Sequence, residues 1–336
     1  MKAWLLKDFG LENLILGEAE TPTPKAGELL VKVSAVSLNF RDKAIVDGIY
    51  EPHLVPKPLI PVSDAVGEVV AVGEGVTRFK VGDRVNSHLY SRWLDGAPSA
   101  DEPMHCIGMP LPGGLAEYMI LHENGAVAAP ASMSDEEAAT LPIAALTAWY
   151  SLMDVGNLQA GQSVLVQGTG GVSIFAAQIA SAHGARVIAT SSRDENLERV
   201  KALGVSEGIN YRSHPDWEKK VLELTDGKGV DVTIDVAGGD GLNRSVQATK
   251  VSGVIAQVGF LAGQVSALEL MPVIFRQTTI RGIAVAPRSS FDRMNPFLDQ
   301  HRIKPVIDRV YGFDDAVQAY QHLAEGPFGK VVIKVS

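Results

Sequence analysis

The chain has 336 residues, 46% of them hydrophobic, and a formal net charge of −9 at pH 7. That length exceeds one typical domain and carries enough apolar residues for a sizeable core in each of two. The acidic balance speaks against a general nucleic-acid or membrane-surface binder, and the single cysteine, Cys106, excludes an internal disulfide and a multi-cysteine zinc lobe.

In chain order, MKAWLLKDFGLENLIL is interrupted by Lys7, Asp8 and Glu12, so it lacks the apolar core of a signal peptide or a transmembrane helix, and a cytoplasmic protein is expected. From Met1 to about Asn124, short β-like runs such as LLVKVSAV and GEVVAVG are broken by Gly and Pro clusters, which predicts a mostly antiparallel, barrel-like body. From about Gly125 to Pro287, strand-like SVLVQG, ARVIATS, GINY, DVTIDVAGG, GVIAQVGF and TTIRGIAV alternate with helix-like runs such as LERVKALG and DWEKKVLELT. That alternation predicts a doubly wound parallel sheet, an α/β fold. The tail, FDDAVQAYQHLAEG followed by KVVIKV, resembles the opening region more than the middle.

Within the alternating stretch, Val164, Leu165 and Val166 read as a buried strand that Gly168 stops, and Val172, Phe175, Ala176, Ile179 and Ala180 recur at helical spacing up to Gly184. Gly168 and Gly170 match the first two glycines of the dinucleotide fingerprint, while Ser173 stands at the third. Such a turn offers free N–H groups and a helix dipole to a pyrophosphate; an ordinary strand-to-helix connection has the same glycines. The next apolar run ends at Thr190, about twenty residues on, where an NAD site places an acid for the ribose 2′-hydroxyl. Ser191, Ser192 and Arg193 stand there instead, and hydroxyls and a guanidinium suit a 2′-phosphate. NADP is therefore expected over NAD, against the plainer alternative of a solvated turn.

VSLNFRDKAIVDGIY, IPVSDAVGEVVAVGEGVTRFKVGDRV, GGLAEY, LPIAALTAWYSL, GQSVLVQGTGGV and GKVVIKV follow one another in an order that resembles the medium-chain dehydrogenases and reductases, in particular their zinc-free quinone oxidoreductase branch. The resemblance covers nearly the whole chain. It implies a GroES-like catalytic domain from residues 1–124 and 288–336 around a Rossmann NADP-binding domain at 125–287, with cofactor and substrate in the cleft. Where the zinc enzymes carry a Cys and a Gly-His-Glu stretch, this chain reads Ser37-Leu38-Asn39 and Val62-Ser63-Asp64. The histidines form no tetrahedral set, His105-Cys106 lacks companions, and His183 reads as a helix C-terminal complement to the dipole, so no metal is expected.

Without a Lewis acid, alkoxide stabilisation is lost, and a conjugated acceptor is the easier hydride target. The resemblance places Asn39 beside the nicotinamide and acceptor, with Tyr50 as a second donor, whereas Arg41, Asp42, Asp64 and Glu68 read as structural support. It assigns the pyrophosphate to Gly170, Gly171 and Val172, and the 2′-phosphate to Ser191, Arg193 and Tyr211. Thr147 and Val258-Gly259-Phe260 border the nicotinamide, and Gly329 and Lys330 close over it. The expected function is an NADPH-dependent reductase of quinones or α,β-unsaturated carbonyls. A zinc-independent alcohol dehydrogenase and a catalytically idle NADPH-binding sensor remain as alternatives. TTIRGIAV, Thr278 to Val285, is expected as an open sheet edge, which in the family pairs with its own copy to make a homodimer.

Overall fold

A computed structural model describes all residues from Met1 to Ser336 and divides them into two compact units: Met1–Leu146 with Pro287–Ser336, and Thr147–Ala286. In the first unit β1 (Lys2–Leu6) and β2 (Leu14–Glu18) form an antiparallel ribbon. The longest strand, β3 (Glu28–Leu38), begins with clean alternation, Leu29, Val31 and Val33 buried and Lys32 exposed, and becomes continuously buried towards its end. It pairs antiparallel with β4 (Asp64–Val72), which pairs with β5 (Arg84–Ser87); β6 (Tyr118–His122) joins β3, and β7 (Ala126–Ala128) joins β5.

β3 and β4 approach so closely that a Cβ on Gly67 would stand 2.1 Å from the Lys32 carbonyl oxygen. Gly67→Ala is therefore expected to cost about 1–3 kcal/mol through forced displacement of a backbone that has nowhere to move. A lowered urea midpoint with an unchanged m-value checks this.

In the second unit β8 (Ser163–Gln167), β9 (Arg186–Ser191), β10 (Glu207–Asn210), β11 (Val230–Asp235), β12 (Thr249–Gln257) and β13 (Thr279–Gly282) form one wholly parallel sheet in the order β10-β9-β8-β11-β12-β13. Helices cover the sheet, and the strands bury their apolar residues against them: Leu165, Ile188 and Ile209 pack with Trp217 and Val221. The strand order reverses beside β8, which is the point where open α/β sheets bind ligands.

The chain then returns to the first unit, where β14 (Ile307–Gly312) lies parallel to β15 (Lys330–Lys334), and β15 pairs antiparallel with β3, Val331 opposite Leu38. The fold is thus α/β, a Rossmann sheet and a mostly antiparallel β unit assembled from both ends of the chain. No helix is long and apolar enough to cross a membrane.

Two boundaries differ from the sequence reading. Residues 125–146 belong to the first unit, because β7 pairs with β5 and the Asp64 carboxylate accepts from the Ile143 N–H at 3.2 Å. The edge strand β13 stops at Gly282: Ile283 is buried and its N–H donates to Gln257 O at 2.9 Å, and Val285 takes a left-handed φ of 61° that turns the chain away.

Candidate functional site

In the second unit, the turn after β8 is built around Gly168, whose φ of 73° lies in the left-handed region that favours glycine and whose N–H donates to Thr190 O at 2.8 Å. Gly170 precedes the helix Gly171–Ala182, and no side chain caps its first N–H groups. A Cβ on Gly168 or Gly170 would meet nothing within 4 Å, so open space lies over this helix N-terminus, as a pyrophosphate requires. Ser173 is buried at the third glycine's place and donates its hydroxyl to Gln167 O at 2.6 Å. A small residue with an internal partner therefore serves where a third glycine is usual.

The ends of β9 and β10 bring Ser191, Arg193 and Tyr211 together. Ser191 lies opposite Asn210; its carbonyl accepts from the Tyr211 N–H at 3.1 Å and its hydroxyl oxygen from the Arg193 N–H at 3.3 Å. Arg193 and Tyr211 are exposed. The neighbouring Asp194 carboxylate accepts from the Asn210 amide at 2.7 Å, a partner that sequence reasoning did not supply.

A second missed feature is a buried network at the end of β11. The Gln167 amide donates to Ser245 Oγ at 2.7 Å, Ser245 donates to Asp235 Oδ2 at 2.6 Å, and Asp235 Oδ1 accepts from the N–H groups of Ala237 and Gly238 at 3.0 and 2.9 Å. The Asp235 backbone carbonyl accepts from Val258 and Gly259, so this one residue ties down the 237–239 turn and the Val258-Gly259-Phe260 turn. The only sequence signal was an acid at the end of an apolar strand. Thr147 is buried in a helical segment, Leu146–Trp149, flanked by π-type turns at Leu141–Ala145 and Tyr150–Val155. Such turns recur at functional sites.

In the first unit, four buried polar side chains meet where β3, β4 and β15 come together. Lys330 is 3% exposed, and its ammonium donates to Asn39 Oδ1 at 2.6 Å and to Leu38 O at 2.8 Å. Asp42 Oδ2 accepts from the Asn39 N–H at 2.8 Å and closes the first turn of the helix Phe40–Val46. Asp64 is wholly buried; burial pushes its carboxyl up to about 7, against the opposing pull of Lys330 and the Asn39 amide. Burial likewise raises Asp42 and lowers Lys330.

Arg41 is a brace, as the sequence suggested: it donates to Met109 O at 2.9 Å and to Ser63 Oγ at 3.3 Å, and its guanidinium lies 5.3 Å from the centre of the half-buried Tyr50 ring. Glu68 is exposed and apart from this cluster. Gly329 and Lys330, expected over the nicotinamide, are both buried, and the lysine is turned inward to Asn39.

A zinc ion does not suit this donor set. Ser37, Asn39, Ser63 and Asp64 offer one strong metal ligand among them, and the Lys330 ammonium already takes Asn39 Oδ1. No three His, Cys, Asp or Glu side chains gather in a way that could hold a metal. Cys106 is buried, and burial pushes its thiol up to about 11.

Residues 25–131 match the alcohol dehydrogenase GroES-like domain and residues 171–300 the zinc-binding dehydrogenase domain. The chain is 39% identical over 334 residues to a zinc-type alcohol dehydrogenase-like protein of Schizosaccharomyces pombe, covering 97% of this chain and 96% of that one. It is 32% identical over 340 residues to the 2-methylene-furan-3-one reductase of Solanum lycopersicum, covering 99% of this chain and 79% of that one. It is 30% identical over 328 residues to the quinone oxidoreductase of Pseudomonas aeruginosa, covering 94% and 93%.

Among solved structures, an alcohol dehydrogenase-type protein of Sinorhizobium meliloti superposes with a TM-score of 0.92 at 40% identity, covering 99% of this chain and 98% of that one. A mycobacterial protein complexed with NADPH superposes at 0.85 and 26% identity over the whole of both chains. With near-complete coverage, a Rossmann sheet in the order of its class and an open glycine turn, the chain belongs to the medium-chain dehydrogenase/reductase superfamily of oxidoreductases, among its quinone oxidoreductase-like members.

Proposed function

We propose that this oxidoreductase uses NADPH to reduce quinones or α,β-unsaturated carbonyls without a metal, and that it works as a homodimer. The observation that carries the reading is the Asn39–Lys330 cluster: where a Lewis acid would be needed for plain alcohol oxidation, the chain has hydrogen-bond donors and a buried ammonium. The reductase names of relatives in tomato and Pseudomonas support the acceptor class.

Bound NADPH supplies a hydride from its nicotinamide C4. The N–H groups of Gly170, Gly171 and Val172 take its pyrophosphate, and Ser191, Arg193 and Tyr211 its 2′-phosphate. Thr147 and the Val258-Gly259-Phe260 turn border the nicotinamide. Asn39, with Tyr50 as the alternative, donates to the acceptor oxygen as charge builds there.

The test is steady oxidation of NADPH with a panel of quinones, enals and enones, set beside simple alcohols with NADP, before and after exhaustive chelation. Turnover of conjugated acceptors that survives chelation, with no stoichiometric zinc by elemental analysis, is the expected result. Tight NADPH binding with no turnover on any acceptor would favour a sensor, and chelation-sensitive alcohol oxidation would overturn the metal-free scheme.

A further inference from the structure

Lys330 is the only lysine in the buried interior, and an ammonium has three donors and no acceptor. Its position is set by the backbone: the Lys330 N–H donates to Val306 O at 2.9 Å, and the next residue, Val331, pairs with Leu38, so the side chain emerges beneath the β3 terminus. An ammonium at 2.6 Å calls for an oxygen, which assigns the Asn39 carboxamide: Oδ1 towards Lys330 and Nδ2 away, towards Ser37 O at 3.5 Å and the Asp64 carboxyl, with its two hydrogens to share between these and an acceptor. The flipped amide would lose a charge-assisted hydrogen bond and set N–H against N–H. Burial lowers the pKa of the lysine, and the neighbouring Asp64 and Asp42 oppose that loss of charge.

We propose that Lys330 is a positioning residue, which locks Asn39 as a hydrogen-bond donor and polarises its amide towards the acceptor side. This rests on the reductase reading above, in which the oxygen of the reduced acceptor needs donors and gains nothing from a carbonyl. A nicotinamide contact by Lys330 itself is the rival role.

Kinetics of Lys330→Met, Asn39→Ala and the double variant, with NADPH and 1,4-benzoquinone, separate the two. Lys330→Met is expected to lower kcat by about 10²-fold, the scale of a misplaced catalytic contact, and to leave the NADPH Kd within about twofold. In the Asn39→Ala background the same substitution should have no further effect on kcat. Additive losses, or a matching loss of NADPH affinity, would overturn the proposal.

Neutron diffraction of the wild-type protein reads the amide directly and needs neither turnover nor a folded variant. Deuterons on the Asn39 atom facing Lys330 would sink the proposal. Oxygen there, in a protein that reduces no acceptor, would leave the amide assignment standing and remove the reductase reading alone.

Discussion

Arg193→Ala is expected to weaken NADPH binding by about 1.5–3 kcal/mol, roughly ten- to hundredfold in Kd, and to leave NADH nearly unchanged. Arg193 is exposed just past the end of β9, its N–H on the Ser191 hydroxyl oxygen and Tyr211 bonded through its N–H to the Ser191 carbonyl, and a guanidinium there suits the ribose 2′-phosphate of the proposed cofactor. NADH has no phosphate to lose, so the effect must be selective. The competing charge is Asp194, one residue on, which would repel a phosphate; its carboxylate is drawn to the Asn210 amide at 2.7 Å. Isothermal titration of both cofactors against wild type and variant decides the matter. Equal weakening of the two would show that Arg193 supports the turn rather than reading the phosphate.

The second large effect concerns assembly. β13 pairs with β12 alone and leaves its other edge open, and beside it the helix Leu270–Arg276 buries none of its residues. Leu270, Met271, Ile274 and Phe275 are exposed there, the phenylalanine by 73%. An open edge flanked by apolar side chains suits an isologous contact with a second copy. Phe275→Glu is expected to weaken the proposed dimer by about 2 kcal/mol or more, roughly thirtyfold in dissociation constant, because it would bring a charge into the apolar contact that the proposal places there. Light scattering should show the shift to monomer while circular dichroism stays unchanged, since the ring touches little within its own chain. Proline at Ile283 is the wrong probe: the Ile283 N–H bonds to Gln257 within the same sheet, so the change would damage the fold itself. A wild-type protein that is monomeric at micromolar concentration refutes the dimer and leaves the cofactor argument intact.

What the sequence disclosed was whatever local pattern determines. The alternation of strand-like with helix-like runs announced the parallel sheet, and the glycines at 168 and 170 announced the turn above it. The place of Ser191 and Arg193 around the end of β9 was legible because the apolar run stops just before them. What stayed hidden depends on register between distant segments. The inward turn of Lys330 follows from β15 pairing with β3, and nothing around GKVVIKV announces a partner at Asn39. Asp235, Ser245 and Gln167 belong to three separate elements and meet only once the sheet is ordered. Residues 125–146 were misplaced because nothing local in LPIAALTAWYSL marks the division between the two units, which falls inside it.

The position of β15 also bears on how the chain is made. It lies between β14 and β3, and Lys330 meets Leu38 across a separation of 292 residues. A ribosome therefore releases the whole Rossmann unit, whose six strands are contiguous in sequence, before the interior strand of the other unit exists. Until then the end of β3, paired with β4 on one side, lacks its second neighbouring strand, and Asp42 and Asp64 lack the lysine they are buried with. Nascent chains thus hold one half ready to fold early and another that must wait, with an unpaired apolar strand edge exposed to chaperones and to other chains in the meantime.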